Sequence, residues 1–109
     1  MATVLKNTVI KNCGTVPVLI YETLPTTRVT VLGLSFTNLT QTFVYVDVLV
    51  EDDTSVSGYY LKQSLLPANT SLRAVSTGEK LVLAPSNRLL VRSSLDDSVD
   101  VIVSYVEIT

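Results

Sequence analysis

The sequence predicts an all-β fold: an antiparallel β-sandwich, jelly-roll-like, with eight or nine strands in one domain that covers 1–109. Short runs rich in Val, Leu, Thr and Ser recur along the chain, and this is the composition of strands. Turn-forming residues separate the runs at nearly regular spacing, which is typical of a sandwich or small barrel. We find no run with the 3.6-residue period of a helix that is long enough to form one.

The first half of the chain contains four predicted strands, at 3–11, 16–23, 28–38 and within the run 42–53, where the strand extends to Val50 and a loop follows. The third has a glycine, Gly33, in its middle, and an interior glycine often marks a β-bulge. A bulge at Gly33 would place four apolar side chains on one face, where we expect them to be buried in the core: Val29, Val31, Leu34 and Phe36.

The fourth run alternates strictly, as a half-buried strand does. Four valines point one way, at positions 44, 46, 48 and 50. Phe43, Tyr45 and Leu49 point the other way, together with two acidic residues. We predict that the first three valines lie in the core, because β-branched side chains fit the buried side of a sheet.

The second half contains five predicted strands, at 57–66, 71–75, 80–84, 88–95 and 99–108. Turns at 67–69, 76–78, 85–87 and 96–98 separate them, each built from Pro, Gly, Asn, Asp or Ser. The last strand alternates like the fourth, so we expect Val101 and Val103 in the core.

Apolar side chains fill the second face of these two alternating strands. They are Phe43, Tyr45 and Leu49 in the first, and Ile102, Val106 and Ile108 in the second. A small sandwich covers only one face of each sheet with its own core. We therefore expect these six residues to form interfaces, together with sheet edges, and the chain to be a homo-oligomer. If this apolar face is not the contact, the sheet edges or the N-terminal strand at 3–11 are the alternative.

The sequence shows no constellation of catalytic residues. We therefore predict that the chain is not an enzyme and needs no cofactor or metal. Histidine is absent, which removes the commonest general base and the commonest metal ligand. The single cysteine, Cys13, cannot make an internal disulfide or a zinc cluster, and we expect an inert buried thiol. The acidic residues at 51–53 and 96–100 fall in turns, and a calcium site there needs both loops at one end of the fold.

Charge and hydropathy argue against two classes of partner. The net charge is −2 and no basic stripe occurs, so nucleic-acid binding is not expected. We read Arg88 and Arg92 as a solvated strand edge. No apolar stretch approaches the roughly 20 residues of a membrane span, and no signal peptide opens the sequence. These features predict synthesis in the cytoplasm without secretion.

A second class of function stays open, that of a carbohydrate- or receptor-binding β-sandwich at a fibre or cell surface. Tyr59 and Tyr60 could line a sugar-binding patch, but neighbouring residues of a strand point to opposite faces. The two rings therefore cannot form one platform. Two glycosylation sequons, at Asn38 and Asn69, are read as coincidences of a chain rich in Thr and Ser.

The run SLLPANTSLRAVSTGEKLVLAPSNRLLVRSS, followed by DDSVDVIVSYVEIT, resembles small all-β virion proteins of tailed bacteriophages. The matching pieces are Leu34–Val50, Pro67-Ala68-Asn69, Leu81-Val82-Leu83 and Val99–Val106, so the likeness covers roughly 28–109. The chain departs from the pattern at Ser86-Asn87, where many relatives carry Gly-Asp. The likeness rests on the positions of the turns and on the residue types of the strands.

The resemblance implies a structural subunit of a virion, of the head decoration (cement), neck or tail accessory type. Its implied partners are other virion proteins and copies of itself. It also implies that the mature protein resides in the virion. The resemblance is equally compatible with the head, the neck and the tail.

Overall fold

The computed structural model describes residues 3–75 and 81–109, and in them nine strands form two antiparallel sheets. The strands are β1 Thr3–Cys13, β2 Val18–Glu22, β3 Arg28–Asn38, β4 Val44–Glu51, β5 Ser57–Leu66, β6 Ser71–Val75, β7 Leu81–Leu83, β8 Arg88–Ser93 and β9 Val99–Ile108. The predicted all-β sandwich is confirmed. The predicted turn at 76–78 and the first residue of the strand predicted at 80–84 lie outside the described residues.

The two sheets have the strand order of a jelly roll. Sheet A runs β1-β9-β3-β6, with β7 also paired to β3, and sheet B runs β2-β8-β4-β5. β6 pairs with the second half of β3 and β7 with its first half, so together they act as one broken edge strand. Most connections carry the chain from one sheet to the other, as the Greek-key connections of a jelly roll do.

The core lies between the inner faces of the two sheets. All nine side chains predicted there are buried, which confirms the prediction: Val29, Val31, Leu34, Phe36, Val44, Val46, Val48, Val101 and Val103. Side chains from β1, β2, β5, β6, β7 and β8 complete the core. Cys13 is buried as expected, and burial raises the pKa of its thiol, so the thiolate that reacts or binds metals is disfavoured.

The bulge predicted in β3 is present. The register between β3 and β9 shifts between Val31 and Gly33, so Leu32 is the extra residue of β3. This shift lets Val31 and Leu34 both point inward, although they lie three positions apart. A regular strand would have turned one of them to solvent.

Two expectations about strand positions are wrong. The fourth strand begins at Val44, so Phe43 lies just before it. Arg88 and Arg92 do not lie on a sheet edge, because β8 sits between β2 and β4 in the interior of sheet B. Their guanidinium groups stand on the outer face and pair with carboxylates of the two neighbouring strands.

Asn38 joins three segments at one end of the sandwich and is 2% exposed. Its Nδ2 donates to the carbonyl oxygens of Thr42 at 2.9 Å, Leu66 at 3.1 Å and Pro67 at 3.1 Å. Its Oδ1 accepts from the amide of Thr40 at 2.8 Å and the hydroxyl of Thr40 at 2.7 Å. The first sequon of the chain therefore holds a buried structural asparagine.

Candidate assembly surfaces

The outer face of sheet B carries a first apolar cluster near the start of β4. Phe43 is 59% exposed and Tyr45 is 41% exposed. Their rings meet edge to face with centroids 5.7 Å apart. Tyr45 pairs across the ladder with Leu65 of β5, which is also exposed. We call Phe43, Tyr45 and Leu65 the aromatic cluster.

A second apolar set crosses the whole outer face of sheet B. Its members are aligned by strand register: Leu19 of β2 faces Leu90 of β8, Leu90 faces Leu49 of β4, and Leu49 faces Tyr59 of β5. The two ends are exposed and the two central leucines are half-buried. We call Leu19, Leu90, Leu49 and Tyr59 the leucine row.

A charged pair separates the aromatic cluster from the leucine row. Arg92 donates from both Nε and Nη2 to Asp47 Oδ2, at 3.0 and 2.7 Å. The other carboxylate oxygen accepts the backbone N–H of Gln63 at 2.6 Å. Gln63 has a left-handed φ of 50°, within a register shift that bulges β5 around Asp47. The bulge aims the amide at Asp47, so this nearly buried carboxylate has partners on both oxygens.

The outer face of sheet A carries the other three predicted interface residues, on β9. Ile102 is 45% exposed and pairs with Val9 of β1, which is 59% exposed. Val106 is half-buried and pairs with Leu5, which is 74% exposed. Ile108, also half-buried, is the last residue of β9.

The structure thus divides the six predicted residues between two surfaces. Phe43, Tyr45 and Leu49 lie on sheet B, while Ile102, Val106 and Ile108 lie on sheet A on the other side of the sandwich. They do not form one patch. Sequence reasoning missed Leu19, Leu65 and Leu90, because their place beside the predicted residues depends on strand register.

One polar network lies at the side of the sandwich where β1 meets β9. Glu107 accepts a hydrogen bond from the hydroxyl of Tyr21. It also forms an ion pair with Lys6, whose Nζ lies 2.9 Å from Glu107 Oε1. The hydrogen bond from Tyr21 lowers the pKa of Glu107 most, and the contact with Lys6 lowers it further. Burial, followed by the neighbouring carboxylate, raises the pKa of Tyr21. The rings of Tyr21 and Tyr105 pack with centroids 4.5 Å apart, so an aromatic contact lies beside the network.

Catalytic groups do not converge in either of two shallow depressions on the described surface. The larger, about 420 Å³, has Lys6 as its charged lining residue, and the smaller, about 250 Å³, has Asp47 and Arg92. Each of these charges is already in an ion pair. Within residues 3–75 and 81–109, no three acidic, Cys or His residues gather as metal ligands do. In the same ranges, no helix is long and apolar enough to cross a membrane.

The two acidic loops lie at opposite ends of β8. Glu51 faces Arg88, the first residue of β8, whereas Asp96 follows the last residue of that strand. Six strand residues span about 20 Å, so the two loops cannot share a calcium ion. Local bonds hold the turn carboxylates instead: Asp52 accepts from Thr54 and Val56, and Asp96 from Thr15.

Solved structures with a similar fold include those of a pilus and of a viral particle. The chain matches a structure of Bacillus endospore appendages, described as a family of disulfide-linked pili, with a TM-score of 0.58 and 8% identity, over 98% of this chain and 88% of that one. It matches the T13 particle of infectious bursal disease virus with a TM-score of 0.56 and 10% identity, over 96% of this chain and 30% of that one. The VP2 subviral particle of that virus gives a TM-score of 0.50 at 9% identity, over 96% and 37%.

These likenesses show the fold alone. The chain spans about a third of the viral chains that it matches. No protein-family model matches the chain, and no curated protein does.

Proposed function

We propose that this chain is a non-enzymatic structural subunit that assembles with copies of itself and with other virion proteins. The observation that carries the proposal is the exposure of apolar side chains on the outer faces of both sheets. Large contiguous apolar patches are rare on soluble monomers and usually mark interfaces. The proposed subunit is a single domain, 1–109.

The outer face of sheet B has the anatomy of an interface core. The aromatic cluster and the leucine row provide apolar anchors, and central aromatic side chains tend to dominate binding energy. The charge between them is already neutralised, because Asp47 is held by Arg92 and by the Gln63 amide. A partner could therefore cover this face without leaving a buried carboxylate unpaired, which would be costly.

The finer assignment is to a tailed-bacteriophage virion, as head decoration (cement), neck or tail accessory protein. It rests on the resemblance of 28–109 to such proteins, and the jelly-roll order of the strands is compatible with it. Structures with similar folds include those of a pilus and of a viral particle, which supports an assembly role. In that setting the protein resides in the virion.

The carbohydrate-binding alternative gains no support from the described surface. Sugar platforms need aromatic rings that lie flat and side by side. The rings of Phe43 and Tyr45 stand at 78° to each other. Tyr59 is exposed on the outer face, whereas Tyr60 packs against the core, as the alternation predicted.

The test replaces the two predicted anchors of sheet B together, Phe43→Asp with Leu49→Asp. Both side chains point away from the core, so far-UV circular dichroism should still report a β fold. Sedimentation should show a native mass lower than that of the unmodified chain, which we expect to lie well above 11.9 kDa. The matched control is Leu24→Asp, an exposed leucine in the turn between β2 and β3, which should associate normally.

Three outcomes would contradict the proposal or its chosen surface. An unmodified chain that stays monomeric at every concentration, and fails to join particles, would contradict the assembly role. Loss of the β signal in the double variant would mean that this face is interior. Normal association of a folded double variant would remove sheet B from the interface.

A further inference from the structure

Strands at the edges of the two sheets differ in how well they could accept another strand. The edges are β1 and the β6/β7 pair in sheet A, and β2 and β5 in sheet B. Natural proteins block such edges with short strands, bulges or charges, because a free edge invites pairing with another chain. Three of these four edges are blocked.

The blocked edges are each short or irregular. β6 has five residues and a register shift, and β7 has three residues. β2 has five residues and a register shift between Leu19 and Tyr21. β5 is longer but contains two irregularities, one of them at the left-handed Gln63.

β1 is the exception. It has eleven residues, and from Thr3 to Ile10 it pairs with β9 without any shift. Its two charged side chains are both turned to β9: Lys6 pairs with Glu107 at 2.9 Å, and Lys11 approaches Asp100 at 3.9 Å. The other edge of β1 has no strand beside it among the described residues.

We propose that β1 of a second copy pairs antiparallel with β1 along this edge, about a two-fold axis at Asn7. A second copy is the occupant because, of the four edges in the described part of the chain, only β1 is long and regular enough to match. The pair would join two copies of sheet A into one continuous sheet. This inference goes beyond the proposed function, because it uses a strand edge and none of the anchors of sheet B.

The sequence of β1 selects the register. With the axis at Asn7, Leu5 faces Val9 and Val4 faces Ile10, so apolar residues pair on both faces of the ladder. Lys6 then faces Thr8, and Asn7 faces itself. Apolar cross-strand pairs stabilise a sheet, whereas like charges directly opposite each other destabilise it.

The two neighbouring registers are worse. An axis at Lys6 would place two lysines face to face. An axis at Thr8 would place Leu5 opposite Lys11 and Asn7 opposite Val9. A shift by an odd number of residues between the strands would pair outward with inward side chains, because side chains alternate along each strand.

The proposed pair also extends the apolar surface of sheet A. Within one copy, Val9 lies beside Ile102, and Leu5 lies beside Val106. Across the axis, Val9 of one copy lies beside Leu5 of the other. Each apolar row would therefore run from Ile102 of one copy to Val106 of the second, and it would shield Leu5, the most exposed of the four.

Disulfide trapping tests the register with single substitutions. Facing residues of an antiparallel ladder have Cα atoms about 4.5–5.5 Å apart, within the range of about 4.4–6.8 Å that a disulfide spans. Asn7→Cys should therefore cross-link two copies almost completely under mild oxidation. Leu5→Cys is the matched control, because two copies of position 5 would be about 13 Å apart along the ladder. The unmodified chain, whose Cys13 is buried, should stay uncross-linked.

Further variants keep the result decisive. Leu5→Cys with Val9→Cys in one chain should restore cross-linking, since these positions face each other. The cross-link at position 7 should persist when Phe43→Asp and Leu49→Asp are added, so failure here is distinct from failure of the proposed function. A folded Asn7→Cys variant that stays monomeric would overturn the proposal. So would Leu5→Cys that cross-links as fully as Asn7→Cys, or preferential cross-linking of Lys6→Cys.

Discussion

Replacing Asn38 by alanine should destabilise the fold more than any exposed substitution does. The side chain is buried and ties the end of β3 to the following loop and to the end of β5. Its two amide hydrogens serve three carbonyl oxygens, those of Thr42, Leu66 and Pro67, and its oxygen accepts twice from Thr40. Alanine keeps none of these bonds.

The expected loss follows from the number of bonds. Two hydrogens can make two good donor bonds at one time, and the oxygen accepts two more. At about 1 kcal/mol of net stability for each bond, Asn38→Ala should lower the free energy of unfolding by about 3–4 kcal/mol. That is a large share of the roughly 5–15 kcal/mol that stabilises a typical domain.

Urea unfolding followed by far-UV circular dichroism measures the change. With a denaturant slope of about 1.5 kcal/mol per molar, the midpoint should fall by about 2–3 M. Gln41→Ala, an exposed residue of the adjoining loop, is the control and should leave the midpoint nearly unchanged. Each variant is measured at two protein concentrations, because association would make the midpoint depend on concentration.

Asn38→Asp sharpens the test. A carboxylate at this position keeps an acceptor for Thr40 but turns negative charge toward three carbonyl oxygens. It should destabilise the fold at neutral pH and recover part of the loss as acid protonates it. An Asn38→Ala midpoint within about 0.7 M of the unmodified chain, worth about 1 kcal/mol, would refute the assignment of Asn38 as the anchor of these segments.

Two further predictions concern the core and the polar network. Val46→Ala should cost about 1–3 kcal/mol through lost burial and a cavity, and an unchanged urea midpoint relative to the exposed control Val82→Ala would contradict the assigned core face. The pKa of Glu107 is lowered in the folded chain by Tyr21 and Lys6, so its stabilisation is present above its ordinary pKa of 4.5 and is lost as the pH falls through the lower folded value. Glu107→Gln should therefore flatten the acid side of the stability profile, and an unchanged slope would contradict this.

Local pattern predicted much of the fold. Alternation assigned the inward faces of β4 and β9 correctly, because a strand has a period of two whatever its neighbours are. Gly33 marked the bulge that brings Val31 and Leu34 to one side. Turn residues placed the strand ends within a few positions, although Phe43 fell outside β4.

Register between distant strands could not be read from the sequence. The leucine row exists because Leu19, Leu90, Leu49 and Tyr59 come into line across four strands. Nothing local distinguishes Leu90 from its buried neighbour Leu89. The bulge of β5 around Asp47 is hidden for the same reason, since the Gln63 amide finds its acceptor on the adjacent strand.

The pairing of β1 with β9 has a consequence for the order of folding. β1 has no other partner within the described chain, and its first pair joins Thr3 to Ile108. β3 also depends on β9 for its longest ladder. The chain must pay the entropy of closing the long segments that lead to β9 before these strand contacts can stabilise the fold. Folds of this kind form on the order of milliseconds to seconds. We therefore expect sheet A to form late, after the adjacent β4 and β5 have paired as a hairpin.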